Sequence, residues 1–198
     1  MPIAVVPWLC EPCSVAVVDL DGFIASEKVH AIEHGFHVHD ERHFIETYSF
    51  GQQWEVDLHP ETACGGPLDL HMALEVDPRV VLAFEDRVLQ DEREPEDDYH
   101  LPLYFNWVLP PLPSPPDLLV LATDLAGVAG TVLPVEVSAT DSFESVTDAP
   151  QRSLAIRGSV NVSLVDISRA DVHLCDVFDR CREISEFLLE QAPSWLSA

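Results

Sequence analysis

The clearest pattern along the chain is the alternation of apolar and polar residues in two segments, 53–59 and 68–76. Alternation with a period of two is typical of a β-strand that buries one face. The residues between the two segments, PETACGGP, include two prolines and a glycine pair, which favours a hairpin closed by a longer loop. The pattern therefore predicts two antiparallel strands with one apolar and one polar face.

The register of this hairpin follows from its apolar residues. Placing Leu58 opposite Leu70 aligns the apolar side chains of both segments on one face. The other pairs that this register predicts on the apolar face are Trp54 with Leu74 and Val56 with Met72. On the polar face it predicts two histidine–carboxylate pairs, Asp57 with His71 and His59 with Asp69.

Further apolar segments, separated by Pro, Gly, Asp and Ser, predict additional strands. These segments are 14–20, 44–50, 80–84, 101–109, 118–123, 132–139 and 154–165. Two other segments predict helices. One is a short early helix at 22–35, and the other begins near Ser168, a plausible N-cap, and ends before Pro193. The apolar residues of the second helix recur at steps of one, three and four, as on an amphipathic helix.

Together these elements predict an α+β fold in a single domain, 1–198. Its core is a mostly antiparallel β-sheet of about 7–9 strands, with the long C-terminal helix packed on it. Two segments fall outside the pattern. Residues 85–98 hold eight acidic residues against two arginines and predict an acidic mobile loop. Residues 110–116, PPLPSPP, predict an extended proline-rich connector.

Charge narrows the range of functions. The chain has 35 acidic and 10 basic residues, a formal net charge of −25, while 47% of its residues are apolar. This apolar content is typical of a globular protein rather than a disordered acidic tail. Direct binding to nucleic acid or to an anionic membrane surface is excluded, because both need clustered Lys and Arg.

The N-terminal sequence and the number of cysteines predict the cellular compartment. The N-terminus lacks the basic residues of a secretory signal, and no apolar run reaches the length of a membrane span. Five cysteines in 198 residues, without secretory context, argue against a disulfide framework. We therefore expect a cytoplasmic protein with free thiols or a metal site.

Two sets of residues have the chemistry of a metal site. Zinc binds thiolate sulfur and neutral imidazole in a tetrahedral shell. A structural zinc site is predicted from a Cys-x-x-Cys pair and two histidines, namely Cys10, Cys13, His37 and His39. The alternative is that these histidines simply lie on a polar surface.

The second set is the polar face of the predicted hairpin, with Cys64 in its loop. It consists of Asp57, His59, Asp69 and His71. Histidines held by carboxylates are typical of metal centres, and an open coordination position there would activate water, as in a zinc hydrolase. The alternative is a solvated sheet face with ordinary cross-strand pairs.

Residues 15–26, VAVVDLDGFIAS, resemble the first motif of haloacid dehalogenase-type phosphatases. The resemblance implies that Asp19 is a nucleophile and Asp21 an acid and base. Phe23 stands where that family has Thr or Val, and no lysine follows Lys28. The antiparallel pattern also differs from the alternating helices and parallel strands of that fold.

No nucleophile elbow, phosphate-cradling loop or dinucleotide fingerprint occurs in the chain. The hypothesis that the sequence favours is a non-catalytic acidic module, a regulator, inhibitor or chaperone-like adaptor. It would engage a basic protein partner, or a second copy as a homodimer, through a sheet edge. The alternative is a zinc hydrolase or structural zinc protein. A third explanation is that the acidity reflects a saline cytoplasm or a GC-rich genome.

Overall fold

The computed structural model describes residues 18–90, 97–143 and 151–197. Five α-helices lie in these ranges: α1 Leu20–Glu33, α2 Pro78–Gln90, α3 Leu118–Ala129, α4 Leu164–Arg169 and α5 Cys175–Leu196. A single turn of 3₁₀ helix, Glu61–Ala63, follows the second strand. Six strands accompany them: β1 Phe36–Ile45, β2 Gln52–Pro60, β3 Asp69–Val76, β4 His100–Val108, β5 Val135–Ser142 and β6 Gln151–Ser163. None of the helices within these ranges is long and apolar enough to span a bilayer.

The six strands form one antiparallel sheet in the order β1-β2-β3-β4-β6-β5, so β1 and β5 are its edges. This confirms the predicted α+β class with an antiparallel sheet and a C-terminal helix. The strand number is six in the described ranges, slightly below the seven to nine that we predicted. The difference arises mainly where apolar segments fold as helices instead.

The predicted register of the central hairpin is confirmed. Leu58 pairs with Leu70, Trp54 with Leu74, Val56 with Met72 and Asp57 with His71. His59 and Asp69 lie just beyond the paired residues, with side-chain atoms 3.3 Å apart. The apolar side chains of β2 and β3 are buried, while Asp57 and His71 on the opposite face are half-buried. Strict alternation leaves one register that buries every apolar residue, since a slip by one residue would expose them all.

The strands predicted at 80–84 and 118–123 are wrong, because these residues lie in α2 and α3. Short apolar runs fit a buried strand or a buried helix equally well. The signal that separates them is the preceding aspartate. Asp77 and Asp117 each accept a hydrogen bond from the backbone N–H two residues on, at 2.9 Å in both cases. This is the geometry with which an aspartate begins a helix.

Helix α2 also corrects the prediction of an acidic loop at 85–98. Residues 85–90 continue the helix to Gln90, and residues 91–96 lie outside the described ranges. The proline-rich segment 110–116 is irregular, apart from a single bridge between Leu112 and Arg152. Leu112 is buried, so the connector is anchored to the sheet at its centre.

Several helix and strand boundaries differ from the predicted ones. Helix α1 begins at Leu20, so the strand predicted at 14–20 does not extend into the described residues. The predicted strand 44–50 reaches only Ile45, where β1 ends and a turn begins. Ser168 lies inside α4 rather than capping the C-terminal helix, and Pro193 lies within the last turns of α5.

Helix α5 covers the apolar face of the sheet. Phe178 of α5 is fully buried and contacts the rings of Phe36 in β1 and Phe105 in β4, with centroids 6.4 Å and 5.7 Å apart. On the opposite face most side chains are polar and half-buried or exposed. The fold is therefore a sheet with one covered face and one face open to solvent.

One polar contact links α5 to the centre of the sheet. The indole Nε1 of Trp107 donates to Ser185 Oγ at 2.9 Å, and Ser185 Oγ donates to the carbonyl of Cys181 at 2.7 Å. All three residues are buried. Ser185 is thus the group that satisfies the indole N–H in the core.

We expect Ser185→Ala to lower the free energy of unfolding by about 1–3 kcal/mol, because the buried indole N–H loses its acceptor. Ser194→Ala, an exposed serine on the same helix, is the matched control and should change it by less than about 0.5 kcal/mol. Urea unfolding followed by tryptophan fluorescence measures both variants. Equal stabilities would contradict the assigned role of Ser185.

Candidate functional site

A β-bulge in edge strand β1 decides which of its side chains reach the open face. The pairing with β2 shifts at His39, which is the extra residue. His37 lies opposite His59 before the bulge, and Arg42 lies opposite Glu55 after it. Residues five positions apart fall on opposite faces of a regular strand. The bulge therefore brings both the histidine and the arginine to the same open face.

Arg42 is the centre of a charged network on this face. Its Nη2 donates to Glu55 Oε1 at 2.8 Å and to Asp57 Oδ1 at 2.5 Å. Asp57 Oδ1 also lies 2.6 Å from Nδ1 of His71. The hydrogen bond to Glu55 is the main reason that the pKa of Arg42 is raised. The guanidinium thus occupies carboxylate oxygens that would otherwise be free to bind a metal ion.

The predicted quartet forms as two separate pairs. Asp57 contacts His71, as above, and His59 Nε2 lies 3.3 Å from Asp69 Oδ1. Within the described ranges these four residues do not converge on one ligand position, because Asp57 and His71 group with Glu55 instead. Metal binding by the quartet stays a prediction.

His37 and His39 lie together, as the zinc prediction requires, and Cys64 joins them. Cys64 Sγ lies 2.8 Å from Nδ1 of His37, and the three residues are exposed. Cys10 and Cys13 lie outside the described residues. The sequence placed Cys64 in the loop after β2 but gave no sign that this loop returns to β1. The zinc site itself stays a prediction.

His59 occupies an unusual position beside this group. Its ring lies 4.5 Å from the ring of His39, and its Nδ1 is buried without a hydrogen-bond partner among the described residues. In a neutral ring that donates from Nε2 to Asp69, Nδ1 carries an unshared lone pair. His59 therefore adds a third imidazole to His37 and His39, and its Nδ1 is unsatisfied.

The tip of the β1–β2 hairpin, which comprises the end of β1 and the turn after it, exposes a cluster of large apolar residues. Its large apolar side chains are 50–94% exposed, Tyr48 most of all. We call this group the aromatic tip; it consists of Phe44, Ile45, Tyr48 and Phe50. Isolated exposed apolar residues are ordinary, but a cluster of them in one loop is typical of an interaction site.

Hydrogen bonds hold the aromatic tip in one conformation. The backbone N–H of Glu46 donates to the carbonyl of Gly51 and that of Phe50 to the carbonyl of Glu46, both at 2.9 Å. The Gly51 N–H donates to Ser49 Oγ at 3.0 Å. Phe50 has φ +57°, a left-handed conformation that bulky residues seldom adopt. Such strain is found most often at functional sites.

A cleft of about 530 Å³ adjoins the aromatic tip, between it and the start of α2. Phe44 forms one wall. The charged residues that line the cleft are Glu46, Glu75, Asp77 and Arg79. With three carboxylates and one guanidinium, the cleft is negative and favours positively charged ligands.

Asp19 and Asp21, the residues of the phosphatase-like segment, belong to the start of α1. Asp19 is the N-cap, and its Oδ1 accepts a hydrogen bond from the Gly22 N–H at 2.8 Å. Asp21 lies in the first turn, where a carboxylate interacts favourably with the helix dipole. Helix initiation accounts for this pair of aspartates, and the antiparallel sheet differs from the parallel sheet that the resemblance implies.

No protein-family model, curated protein or solved structure matches this chain. The functional argument therefore depends on the geometry and charge of the residues described above.

We expect Arg42→Gln to lower the melting temperature, because Glu55 and Asp57 lose their shared donor. Arg79→Gln removes the same charge from an exposed site outside this network and is the control. The difference between the two variants should shrink in about 1 M salt, which screens the exposed charges. Circular dichroism melts at low and high salt measure it. Identical melts would contradict the role of Arg42 on the open face.

Proposed function

We propose that this protein is a non-catalytic binding module that takes a basic, partly apolar segment of a partner protein at the aromatic tip and the acidic cleft. The observation that carries the proposal is the concentration of exposed aromatic residues beside carboxylates in one rigid hairpin. Each half of this arrangement has a separate role in binding.

The aromatic side chains supply contact area at low entropic cost. Tyr48 and Phe50 each have only two side-chain torsions to restrict, and the hydrogen-bonded turn already fixes their backbone. Rigid aromatic residues of this kind are frequent hot spots in protein interfaces. A partner that covers them gains hydrophobic stabilisation without reordering the loop.

The carboxylates select the partner's charge. Glu75 and Asp77 line the cleft at the end of β3, and the chain as a whole carries a net charge of −25. A negative cleft on a negative protein attracts a basic segment from a distance and raises its association rate. It also repels acidic competitors, which adds specificity.

Edge strand β1 offers a route for the partner's backbone. Its first half carries the bulge at His39 and charged residues, which are features that protect an edge from pairing. Its second half ends in Phe44 and Ile45, which are exposed and apolar. An extended segment can therefore add to the second half of β1 and place its side chains against the aromatic tip.

A second copy of this chain is a weaker candidate for the partner, because it carries the same negative charge. A zinc hydrolase on the open face has less support, since the carboxylates beside His71 already accept hydrogen bonds from Arg42. If the acidity only keeps the protein soluble, removing carboxylates from the cleft should affect partner binding no more than removing carboxylates elsewhere.

We expect peptides selected from a random phage-displayed library on the wild-type protein to bind at the aromatic tip. The double variant Tyr48→Ala/Phe50→Gly should weaken them by about tenfold or more, the cost of losing interface hot spots. Glycine tolerates the positive φ of Phe50, so the turn is preserved. Leu119→Ala, at an exposed apolar residue of α3, is the control. Binding that is unchanged in the double variant would overturn the proposal.

We also expect the selected peptides to be rich in Lys and Arg and to lose affinity in about 0.5 M salt. Glu75→Gln/Asp77→Asn should weaken them more than Asp124→Asn/Glu136→Gln, which changes the net charge equally at exposed sites outside the cleft. Asparagine keeps the capping role of Asp77. Fluorescence anisotropy gives the affinities. If the two double variants bind alike, the acidity does not select the partner.

A further inference from the structure

A second cluster of histidine and cysteine lies where α1 packs against α5, on the covered side of the sheet. His30 and His34 are one helical turn apart on α1, so their side chains share a face. Cys175 is the first residue of α5, and Asp179 lies one turn after it. Both imidazole rings lie within about 6 Å of the Phe178 ring, which holds the two helices together.

The donor atoms of this cluster are already close. One donor atom from each of His30, His34 and Cys175 lies within 4.8 Å of the other two. One of these contacts joins Cys175 Sγ to His30 Nε2 at 3.2 Å. Adjacent nitrogen and sulfur ligands of a tetrahedral zinc ion are about 3.5 Å apart, so small side-chain movements would close the site.

A carboxylate also lies beside each imidazole, and for His30 it contacts the nitrogen that does not face Cys175. Glu27 Oε2 lies 3.3 Å from His30 Nδ1, and Asp179 Oδ1 lies 2.9 Å from His34 Nδ1. Glu27 is only 1% exposed, a burial that carboxylates rarely show without a positively charged partner. A carboxylate behind each ligating histidine is the usual arrangement in metal centres, where it sets the tautomer and the ring orientation.

We propose that His30, His34 and Cys175 bind a zinc ion, with Glu27 and Asp179 as positioning residues. Two imidazoles and a thiolate suit zinc, a borderline-soft ion that takes four tetrahedral ligands. Cys175 binds as the thiolate, and its proton passes to solvent when the ion enters. Three protein ligands leave one coordination position, which a water or a small ligand takes in zinc sites of this type.

This cluster is a better candidate than the two on the open face. Glu55 and Asp57, the carboxylates beside His71, already accept hydrogen bonds from Arg42, and His37, His39 and Cys64 are exposed on a strand and a loop. His30 and His34 are half-buried on a helix, so their positions are set by packing against α5. Rigid elements hold ligands more precisely than loops do.

The same contacts suggest a different chemistry, a nucleophilic Cys175 with His30 as base and Glu27 as its orienting group. That arrangement gives no role to His34 or Asp179, although both take part in the cluster. The metal site uses all five residues. The two possibilities differ in whether Cys175 is shielded or reactive, and this difference can be measured.

The first test is metal titration of the full chain, purified without a histidine tag, reduced and stripped with a chelator. We expect one equivalent of Co²⁺ to produce a thiolate charge-transfer absorption band, and calorimetry to show Zn²⁺ binding at this site. His30→Ala and Cys175→Ser should abolish the band. Asp179→Asn should weaken Zn²⁺ binding by about 10–100-fold, the typical effect of losing an orienting carboxylate.

Two control variants, His173→Ala and Cys64→Ser, should leave the band and the affinity unchanged. His173 is exposed two residues before Cys175, and Cys64 belongs to the cluster on the open face. Melting curves without metal establish that every variant is folded. Absence of the thiolate band in the wild type, its persistence in Cys175→Ser, or its loss in Cys64→Ser would each overturn the proposal.

The second test is alkylation with iodoacetamide, mapped by mass spectrometry. Zn²⁺ should protect Cys175 but not Cys64, since both thiols are exposed without metal. Cys181 is buried, and burial raises the pKa of its thiol, so it should stay unlabelled throughout as an internal reference. A Cys175 that reacts much faster than Cys64, with no protection by Zn²⁺, would overturn the metal site and favour the nucleophile.

Discussion

The packing of Phe178 determines how the main parts of this molecule are joined. Its ring is fully buried and lies between Phe36 of β1, Phe105 of β4 and the two histidines of α1. One side chain of α5 therefore contacts the edge of the sheet, its centre and the first helix. Because α1 leads directly into β1, this contact also fixes where the edge strand starts. Both the proposed zinc site and the proposed binding edge depend on it.

For the proposed binding role, the positions of the charged residues matter more than the net charge of the chain. In the described part of the chain several cations pair with carboxylates across neighbouring strands, as Arg42 does with Asp57 and Arg152 with Asp141. The hydrogen bonds from Arg152 lower the pKa of Asp141. The cleft beside the aromatic tip contains one arginine among three acids. The cleft therefore combines a net negative charge with a neighbouring exposed apolar surface.

Periodic features of the structure could be predicted from the sequence, whereas single-residue and long-range features could not. The pairing of Asp57 with His71 follows from alternation, because only one register buries the apolar face. The bulge at His39 leaves no periodic signal, since it inserts one residue into an otherwise polar strand. Helices α2 and α3 were missed because their apolar runs are short, although the aspartates that begin them were visible. The contact between Cys175 and His30 joins residues 145 positions apart, which no local pattern indicates.

The contrast between the two halves of β1 connects the acidity of the chain to its proposed role. An exposed, apolar strand edge invites pairing with any other edge, including that of a second copy. The first half of β1 avoids this through its bulge and charges, but Phe44 and Ile45 have no such protection. The net charge protects this part of the edge instead, because two copies that each carry a net charge of −25 repel one another on approach. The same negative charge attracts a basic segment. The charge therefore both discourages self-association and favours the proposed partner.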